Sequence, residues 1–208
     1  SISRSVFDSN RNMPQNGEND FKVLKKKYAK GIELRGKNIG IIGFGRIGQN
    51  TAKYALGAGM NVLAFDPFME KATIELDIAN QKLDVTINIS SMEELLNKSD
   101  FISLHVPMPK DGNPIIGSLE FEKMKNGVRI VNASRGGVID EPALINALKS
   151  NKVSFAALDV FVGEPKPSKD LLSNEKISLT PHIGAATLEA QDRIGEELAE
   201  KIINFYKK

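Results

Sequence analysis

Short apolar runs alternate along this chain with stretches whose apolar positions recur every three or four residues. Extended segments are expected at Lys37–Gly43, Asn61–Phe65, Val85–Ile89, Phe101–Val106, Val128–Ala133, Phe155–Val160 and Ile177–Thr180. Helices are expected between them. After Gly43, Ile47, Thr51, Ala55 and Ala58 fall on one helical face, and residues 69–80 read as a helix. Ser91 with Glu94 three positions later forms a capping-box pattern opening a helix to Lys98. Leu119–Met124 reads as a short helix. Asp140-Glu141-Pro142 starts another, through Lys149, with Asp as cap and Pro in the first turn. Thr187–Tyr206 is amphipathic, with Ala190, Ile194, Leu198 and Ile202 at four-residue intervals. Residues 1 to about 12 read as a short helical segment, and Met13–Asp20, with Pro14 and Gly17, as a loop. About seven strand-then-helix alternations predict an α/β fold, a parallel sheet with helices on both faces.

One junction carries more than punctuation. The apolar run Ile39–Ile42 leads into Gly43, Gly45 and Gly48, the GxGxxG spacing, just where strand gives way to helix. Gly43 suits a tight turn, Gly45 lets backbone approach a pyrophosphate, and Gly48 lets helix and strand pack closely. The unpaired N–H groups and positive end of the following helix then favour an anion. The next strand ends in Asp66, near the ~20-residue offset expected of an acid that binds ribose hydroxyls. Read alone, Asp66 beside Pro67 would be a turn residue. A carboxylate there repels a 2′-phosphate and no Arg follows it directly, so the expected cofactor is NAD rather than NADP.

Composition narrows the partners. The 208 residues carry a formal net charge of +2, too little to suggest nucleic acid or an acidic membrane surface. The absence of cysteine removes thiol nucleophiles, disulfides and thiolate metal sites, and fits a reducing cytosol. No apolar run approaches the ~20 residues of a membrane span. With only His105 and His182 available, a three-histidine metal site is excluded and no metal is expected. The basic run Lys25–Lys27 reads as a solvated face.

In a parallel α/β sheet, ligands gather at the carboxyl ends of the strands. The residues there are Gly43, Asp66, His105-Val106-Pro107, Ala133-Ser134-Arg135, Asp159 and His182. Arg135, followed by Gly136-Gly137, offers a planar cation suited to a carboxylate; the alternative is a surface salt bridge. Glu164 and His182 each follow a strand and could meet as an acid–base pair, or be a loop acid and a structural histidine. His105 reads as packing beneath the cofactor or bonding to backbone.

Several motifs in register resemble the D-isomer-specific 2-hydroxyacid dehydrogenases. They are Gly43-Phe44-Gly45-Arg46-Ile47-Gly48, the run NASRGGVIDE from Asn132 to Glu141, Leu158-Asp159-Val160-Phe161 through Glu164-Pro165, and TPHIGAAT from Thr180 to Thr187. The stretch Glu189–Glu197 looks most like the D-3-phosphoglycerate dehydrogenase branch. The resemblance implies a Rossmann-type doubly wound sheet and a role for each matching position. Arg135 would bind the substrate carboxylate and carbonyl, His182 would be the acid–base, and Glu164 would hold and charge it. Gly43, Gly45, Arg46, Ile47 and Gly48 would meet the pyrophosphate, Asp66 the adenosine ribose, and Val106 and Pro107 the adenine side. Ala133, Ser134, Arg135, Asp159, His182, Gly184 and Ala185 would surround the nicotinamide end, with Asp159 near its carboxamide. The implied substrate is a small 2-hydroxy or 2-keto acid, phosphorylated in that branch and feeding serine synthesis, and the implied assembly is a homodimer through the cofactor domain.

The chain also departs from the family. Most of the substrate domain and the tryptophan often found near the entering helix are missing; the chain has no Trp. The expected layout is an entering crossover helix and linker at 1–36, the NAD-binding domain at 37–186 and a returning helix at 187–208. Such a chain is expected to bind NAD(H) and turn over poorly. Competing readings are a glyoxylate, hydroxypyruvate or D-lactate-type reductase of the same family, and an NAD-sensing corepressor-like binding protein.

Overall fold

The structure, a computed structural model, describes residues 1–207. Its elements run α1 (Val6–Tyr28), β1 (Asn38–Ile42), α2 (Arg46–Gly57), β2 (Asn61–Phe65), β3 (Lys71–Ile78), β4 (Gln81–Asn88), α3 (Met92–Lys98), β5 (Phe101–Leu104), α4 (Ser118–Lys123), β6 (Val128–Asn132), α5 (Glu141–Lys149), β7 (Val153–Leu158), α6 (Lys169–Leu172), β8 (Ile177–Leu179) and α7 (Leu188–Tyr206). Six strands form one sheet in the order β2-β1-β5-β6-β7-β8, all pairs parallel. The order reverses at β1, so β1 and β5 flank the crevice where such sheets bind ligands.

Period-2 alternation sorts the strand side chains between two cores. Ile42, Ile102 and Leu104 join Leu95, Phe121 and Leu144 from α3, α4 and α5 on one face. Ile41 joins Phe44, Ala52 and Ala64 on the other, continued by Ala55, Met60, Phe101 and the N-terminal Ile2. The doubly wound α/β architecture expected from the alternating pattern is therefore present.

Three expectations are corrected. Residues 69–80 are not a helix, and Val85–Ile89 is not a strand of the main sheet: β3 and β4 form an antiparallel hairpin. Ala72, Ile74, Leu76 and Ile78 alternate with Thr73, Glu75 and Asp77, a period of two rather than 3.6. Ala79 and Asn80 both have positive φ (52° and 65°), the two-residue turn whose twist matches a hairpin. Only Ile89, bridging Ala64 in parallel, remains of the expected strand beside β2. Second, Met13–Asp20 is not a loop. Helix α1 runs through Pro14 and Gly17 and breaks only at Asp20 (φ −115°, ψ 20°). Tyr28 Oη donates to Asp8 Oδ2 at 2.7 Å, and Ile32 N–H donates to the Ser3 carbonyl, so the chain doubles back at that break. Lys27 pairs with Asp8 at 2.9 Å, so one member of the basic run has a partner. Third, the buried face of α2 is Gly48, Ala52 and Ala55, while Ile47 is 69% exposed beside the glycine turn.

Helix α7 starts on Thr187, whose side chain accepts from the Ala190 N–H, and none of its residues is buried. Its Ile194, Leu198 and Ile202 face solvent. Among the described residues no helix is long and apolar enough to cross a membrane.

Candidate active site

The glycine turn is built by close approach. Gly43 has φ +89°, and a Cβ there would strike the His105 carbonyl; a Cβ on Gly48 would strike the Gly43 carbonyl. Gly45 differs: nothing in the chain lies within 4 Å of where its Cβ would stand. Gly45 also occupies the N-cap of α2 and offers the first-turn N–H groups no side-chain cap. Freedom at Gly45 is therefore not required by the protein's own packing, and this cradle fits a dinucleotide pyrophosphate. Arg46, at the start of α2, has a 91% exposed side chain whose guanidinium comes within 4.0 Å of Glu197 on α7.

Asp66 follows β2. Its Oδ2 accepts from the Phe44 N–H inside the glycine turn at 2.8 Å, and its Oδ1 accepts from the Phe68 N–H at 3.0 Å. The acid expected at the ribose thus also ties the turn to its neighbouring strand. Beyond β5, His105 Nε2 lies 2.9 Å from Ser103 Oγ, and burial pushes the His105 imidazole below its usual value. Val106 is partly buried and Pro107 exposed.

After β6 the chain turns on Asn132. Its Oδ1 accepts from both the N–H and the hydroxyl of Ser134, and its Nδ2 donates to the Arg135 carbonyl at 2.9 Å. The Ser134 side chain is thereby buried in the turn, while Ala133 and Arg135 are exposed. Arg135 donates to the Ser134 carbonyl and has no carboxylate partner among the described residues, so it is not a surface salt bridge. At the glycine pair that follows, two backbones come close: a Cβ on Gly136 would strike the Phe161 carbonyl.

Asp159, at the end of β7, is 7% exposed. Its Oδ1 accepts from the Thr180 hydroxyl (2.6 Å) and the Ile183 N–H (2.9 Å), and its Oδ2 from the Gly184 N–H (2.7 Å). Burial alone would raise this carboxyl, but those three donors and the nearby His182 together hold it below the usual carboxylate range. These bonds fix the loop between β8 and α7, on which His182 adopts φ 56°, a left-handed conformation rare outside glycine. Gly184 and Ala185 follow it, exposed.

The pair expected from sequence is formed. Glu164 Oε2 lies 2.8 Å from His182 Nδ1, and Glu164 Oε1 accepts from the Phe161 N–H at 2.8 Å. The hydrogen bond from His182, then that from Phe161, hold the Glu164 carboxyl below its ordinary value. His182 Nε2 has no hydrogen bond among the described residues. Arg135, Glu164 and His182 share one open cleft of about 750 Å³, lined also by Met108 and Gly137. A second, more apolar hollow of about 440 Å³ also borders the pair, against Leu172 and Leu179.

Three supporting residues escaped the sequence reading as site groups: Asn132, Thr180 and Glu141. Glu141 accepts from the Val162 N–H at 2.7 Å, and burial raises its carboxyl. Asn132 and Glu141 hold backbone, Thr180 holds the Asp159 carboxylate, and Glu141 also lines the cleft. Asn132 and Thr180 could have been signalled only by their place at a strand end, Glu141 only by its place at the start of α5. Among the described residues no cluster of His, Cys, Asp and Glu is placed to hold a metal ion.

Along the carboxyl edge of the sheet the groups fall in the order Asp66, Gly43, His105, Ala133, Asp159 and His182, following the strand order. An adenosine end at Asp66 and a reactive end at Arg135, Glu164 and His182 fit one extended dinucleotide.

Comparison with known proteins agrees. Residues 1–184 match the family described as "D-isomer specific 2-hydroxyacid dehydrogenase, NAD binding domain". The chain is 46% identical over 184 residues to D-3-phosphoglycerate dehydrogenase of Archaeoglobus fulgidus, covering 88% of this chain and 33% of that protein. It is 47% identical over 181 residues to hydroxypyruvate reductase of Thermotoga maritima, covering 86% and 56%. The holo D-mandelate dehydrogenase of Rhodotorula graminis superposes with a TM-score of 0.80 at 35% identity, over 91% of this chain and 54% of that one. The chain thus spans between a third and somewhat over half the length of these relatives. With the glycine turn, the strand-end acid and the Arg135, Glu164 and His182 cluster in place, the chain belongs to the D-isomer-specific 2-hydroxyacid dehydrogenases, as an NAD-binding domain of that family.

Proposed function

We propose that this chain is the NAD-binding part of an NAD-dependent dehydrogenase that interconverts a 2-hydroxy acid and its 2-keto acid, with D-3-phosphoglycerate as the hydroxy acid. The observation that carries the chemistry is the 2.8 Å contact between Glu164 Oε2 and His182 Nδ1 in a cleft shared with Arg135. Nδ1 donates to Glu164, which leaves Nε2 as the nitrogen that meets substrate. In the reducing direction Nε2–H gives its proton to the carbonyl oxygen as that oxygen becomes an alkoxide; in the oxidising direction Nε2 takes it back. Glu164, held ionised, orients the ring. A proton donor so placed contributes roughly 10²–10⁴-fold. Arg135 binds the substrate carboxylate and adds fixed positive charge near the carbonyl. NAD supplies the hydride acceptor and donor.

For the cofactor, the N–H groups at the start of α2 receive the pyrophosphate, with Arg46 and Ile47 beside it, and Asp66 takes the ribose hydroxyls. Val106 and Pro107 border the adenine. Ala133, Ser134, Asp159, Gly184 and Ala185 frame the nicotinamide end. We further propose that α1 and α7 are interdomain helices and that two copies pair through this domain. The solvent-facing Ile194, Leu198 and Ile202 support the first point.

The phosphorylated substrate rests on likeness to D-3-phosphoglycerate dehydrogenase. A hydroxypyruvate reductase is the second reading, favoured by the similar identity to the Thermotoga maritima protein. Steady-state assays of the full-length protein with NADH and a panel of 2-keto acids decide. The expected result is the highest kcat/KM with 3-phosphohydroxypyruvate; preference for hydroxypyruvate or glyoxylate overturns the substrate assignment. The 208-residue chain alone is expected to bind NADH and to turn over poorly.

A further inference from the structure

The strap that follows β7 carries Glu164, and two carboxylates hold two of its successive amides. Phe161 N–H donates to Glu164 Oε1 at 2.8 Å, and Val162 N–H donates to Glu141 Oε1 at 2.7 Å. The first bond closes the strap on itself, around Gly163, which has φ +77° and whose carbonyl accepts from the Lys166 N–H. The second reaches outside the strap, to the first residue of α5.

Glu141 stands on a fixed base. Asp140 Oδ1 caps α5 by accepting from the Ala143 N–H at 2.8 Å, and the Asp140 N–H donates to the Ile116 carbonyl. Val138 and Ile139 before it are buried, as are Ala143 and Leu144 after it. The strap is not held by burial in the same way: beyond Phe161, the residues Val162, Gly163, Glu164 and Pro165 are all exposed. It also lies directly on the turn that carries Arg135, where Gly136 meets the Phe161 carbonyl. The seating of the strap therefore sets where Glu164 and His182 stand relative to Arg135 in the cleft they share.

Glu164 is aimed through this backbone. Its Oε2 meets His182 Nδ1 at 2.8 Å while its Oε1 follows the Phe161 amide, and the next amide along is the one Glu141 holds. A strap free to swing at Val162 would carry the Phe161 amide, and the carboxylate with it, away from the imidazole. The ring would then lose the partner that keeps a proton on Nδ1 and leaves Nε2 for substrate. The bond to Val162 needs only an acceptor oxygen. Burial pushes the Glu141 carboxyl above its ordinary value, and a protonated acid or an amide would serve Val162 as well.

We propose that Glu141 is a positioning residue for hydride transfer: through the Val162 amide it seats the strap so that Glu164 stays against His182 Nδ1. This role rests on the acid–base reading of Glu164 and His182 given above, and on no choice of 2-keto acid.

Two measurements test it. His105 and His182 are the only histidines, so nitrogen NMR spectra of the imidazole rings report His182 separately in the chain itself. A neutral imidazole free in water favours the Nε2–H tautomer, so an Nδ1–H tautomer at His182 reports the Glu164 bond. Glu141→Ala should shift His182 toward Nε2–H and leave His105 unchanged. Tm should fall little, because water can take over the exposed Val162 amide. In the full-length enzyme Glu141→Ala should lower kcat by about 10- to 100-fold with KM for NADH unchanged. Glu141→Gln keeps an acceptor oxygen at the same reach and should match the parent in both measurements. Glu141→Asp keeps the charge on a shorter arm and should behave like Glu141→Ala. An unchanged tautomer and kcat in Glu141→Ala overturn the proposal, and so does a Glu141→Gln protein as impaired as Glu141→Ala. If Glu141→Ala fails to fold, Glu141→Asp against Glu141→Gln decides by the same measurements. Turnover retained by His182→Asn overturns the acid–base reading instead, and the His182 tautomer in Glu141→Ala still decides whether Glu141 holds Glu164 in place.

Discussion

Asp159 holds the loop that carries His182: one carboxylate receives the Thr180 hydroxyl just before the histidine and the Ile183 and Gly184 N–H groups just after it. The imidazole is thus clamped from both sides in a left-handed backbone conformation that costs about 1–3 kcal/mol in an ordinary residue. Asp159→Ala should release this clamp. Hydrogen bonds to a charged acceptor contribute about 1.5–3 kcal/mol each, so a Tm drop of several degrees is expected. Hydrogen exchange at the Ile183 and Gly184 amides should rise well beyond that of β7. Unchanged exchange there would show that the loop holds itself.

The acid–base assignment separates binding from turnover. In the full-length enzyme, His182→Asn should remove roughly 10²–10⁴ of kcat while NADH affinity stays within a few-fold. Glu164→Gln keeps a hydrogen-bond acceptor for Nδ1 but not the charge, so its loss should be smaller and fall on kcat rather than KM. A His182→Asn protein that retains turnover refutes the assignment.

Gly48 and Gly45 should part company. A methyl at Gly48 meets the Gly43 carbonyl, so Gly48→Ala is expected to lower Tm and NADH affinity together. A methyl at Gly45 meets nothing of the protein, so Gly45→Ala should leave Tm near the parent value and still weaken NADH by about tenfold or more, because it intrudes on the pyrophosphate. Thermal melts and fluorescence titration of the two variants give the comparison.

His105 makes stability depend on pH. Burial lowers its folded-state value below the usual ~6.5, so the unfolded chain binds the proton more readily. The neutral ring's contribution is complete above that usual value and is lost as pH falls from it through the lower folded-state value. Asp159, whose carboxyl is also held low, adds a further loss through the carboxylate range. Denaturant midpoints against pH should slope downward on acidification, and His105→Gln should flatten the upper, near-neutral part alone. An unaltered slope would assign it to other groups.

Much of this site could be read before any coordinates. GxGxxG at a strand–helix junction, an acid after the next strand, and Arg135, Glu164 and His182 after later strands all depend on local sequence and on one rule about sheet edges. The supporting network was not legible, because Asn132 and Glu141 act by hydrogen-bonding backbone and Thr180 by bonding the Asp159 carboxylate, a few residues or a whole unit away, and polar residues near turns do so everywhere. The fold failed at Lys71–Asn88, where helix-forming Glu, Lys, Leu and Ala residues masked a period of two and a turn at Ala79-Asn80. It failed again at Pro14, which opened no loop. Contacts from Asp8 to Lys27 and Tyr28 across the hairpin of α1 now hold that segment in place.

The bond from the Phe44 N–H to Asp66 has a consequence for engineering and for descent. If the carboxylate that reads the ribose also pins the glycine turn, then cofactor choice and the shape of the phosphate cradle are inherited as a single trait. A substitution at Asp66 meant to admit a 2′-phosphate would first loosen the turn that receives the pyrophosphate. A lineage changing cofactor would need to restore that anchor before the new preference became useful.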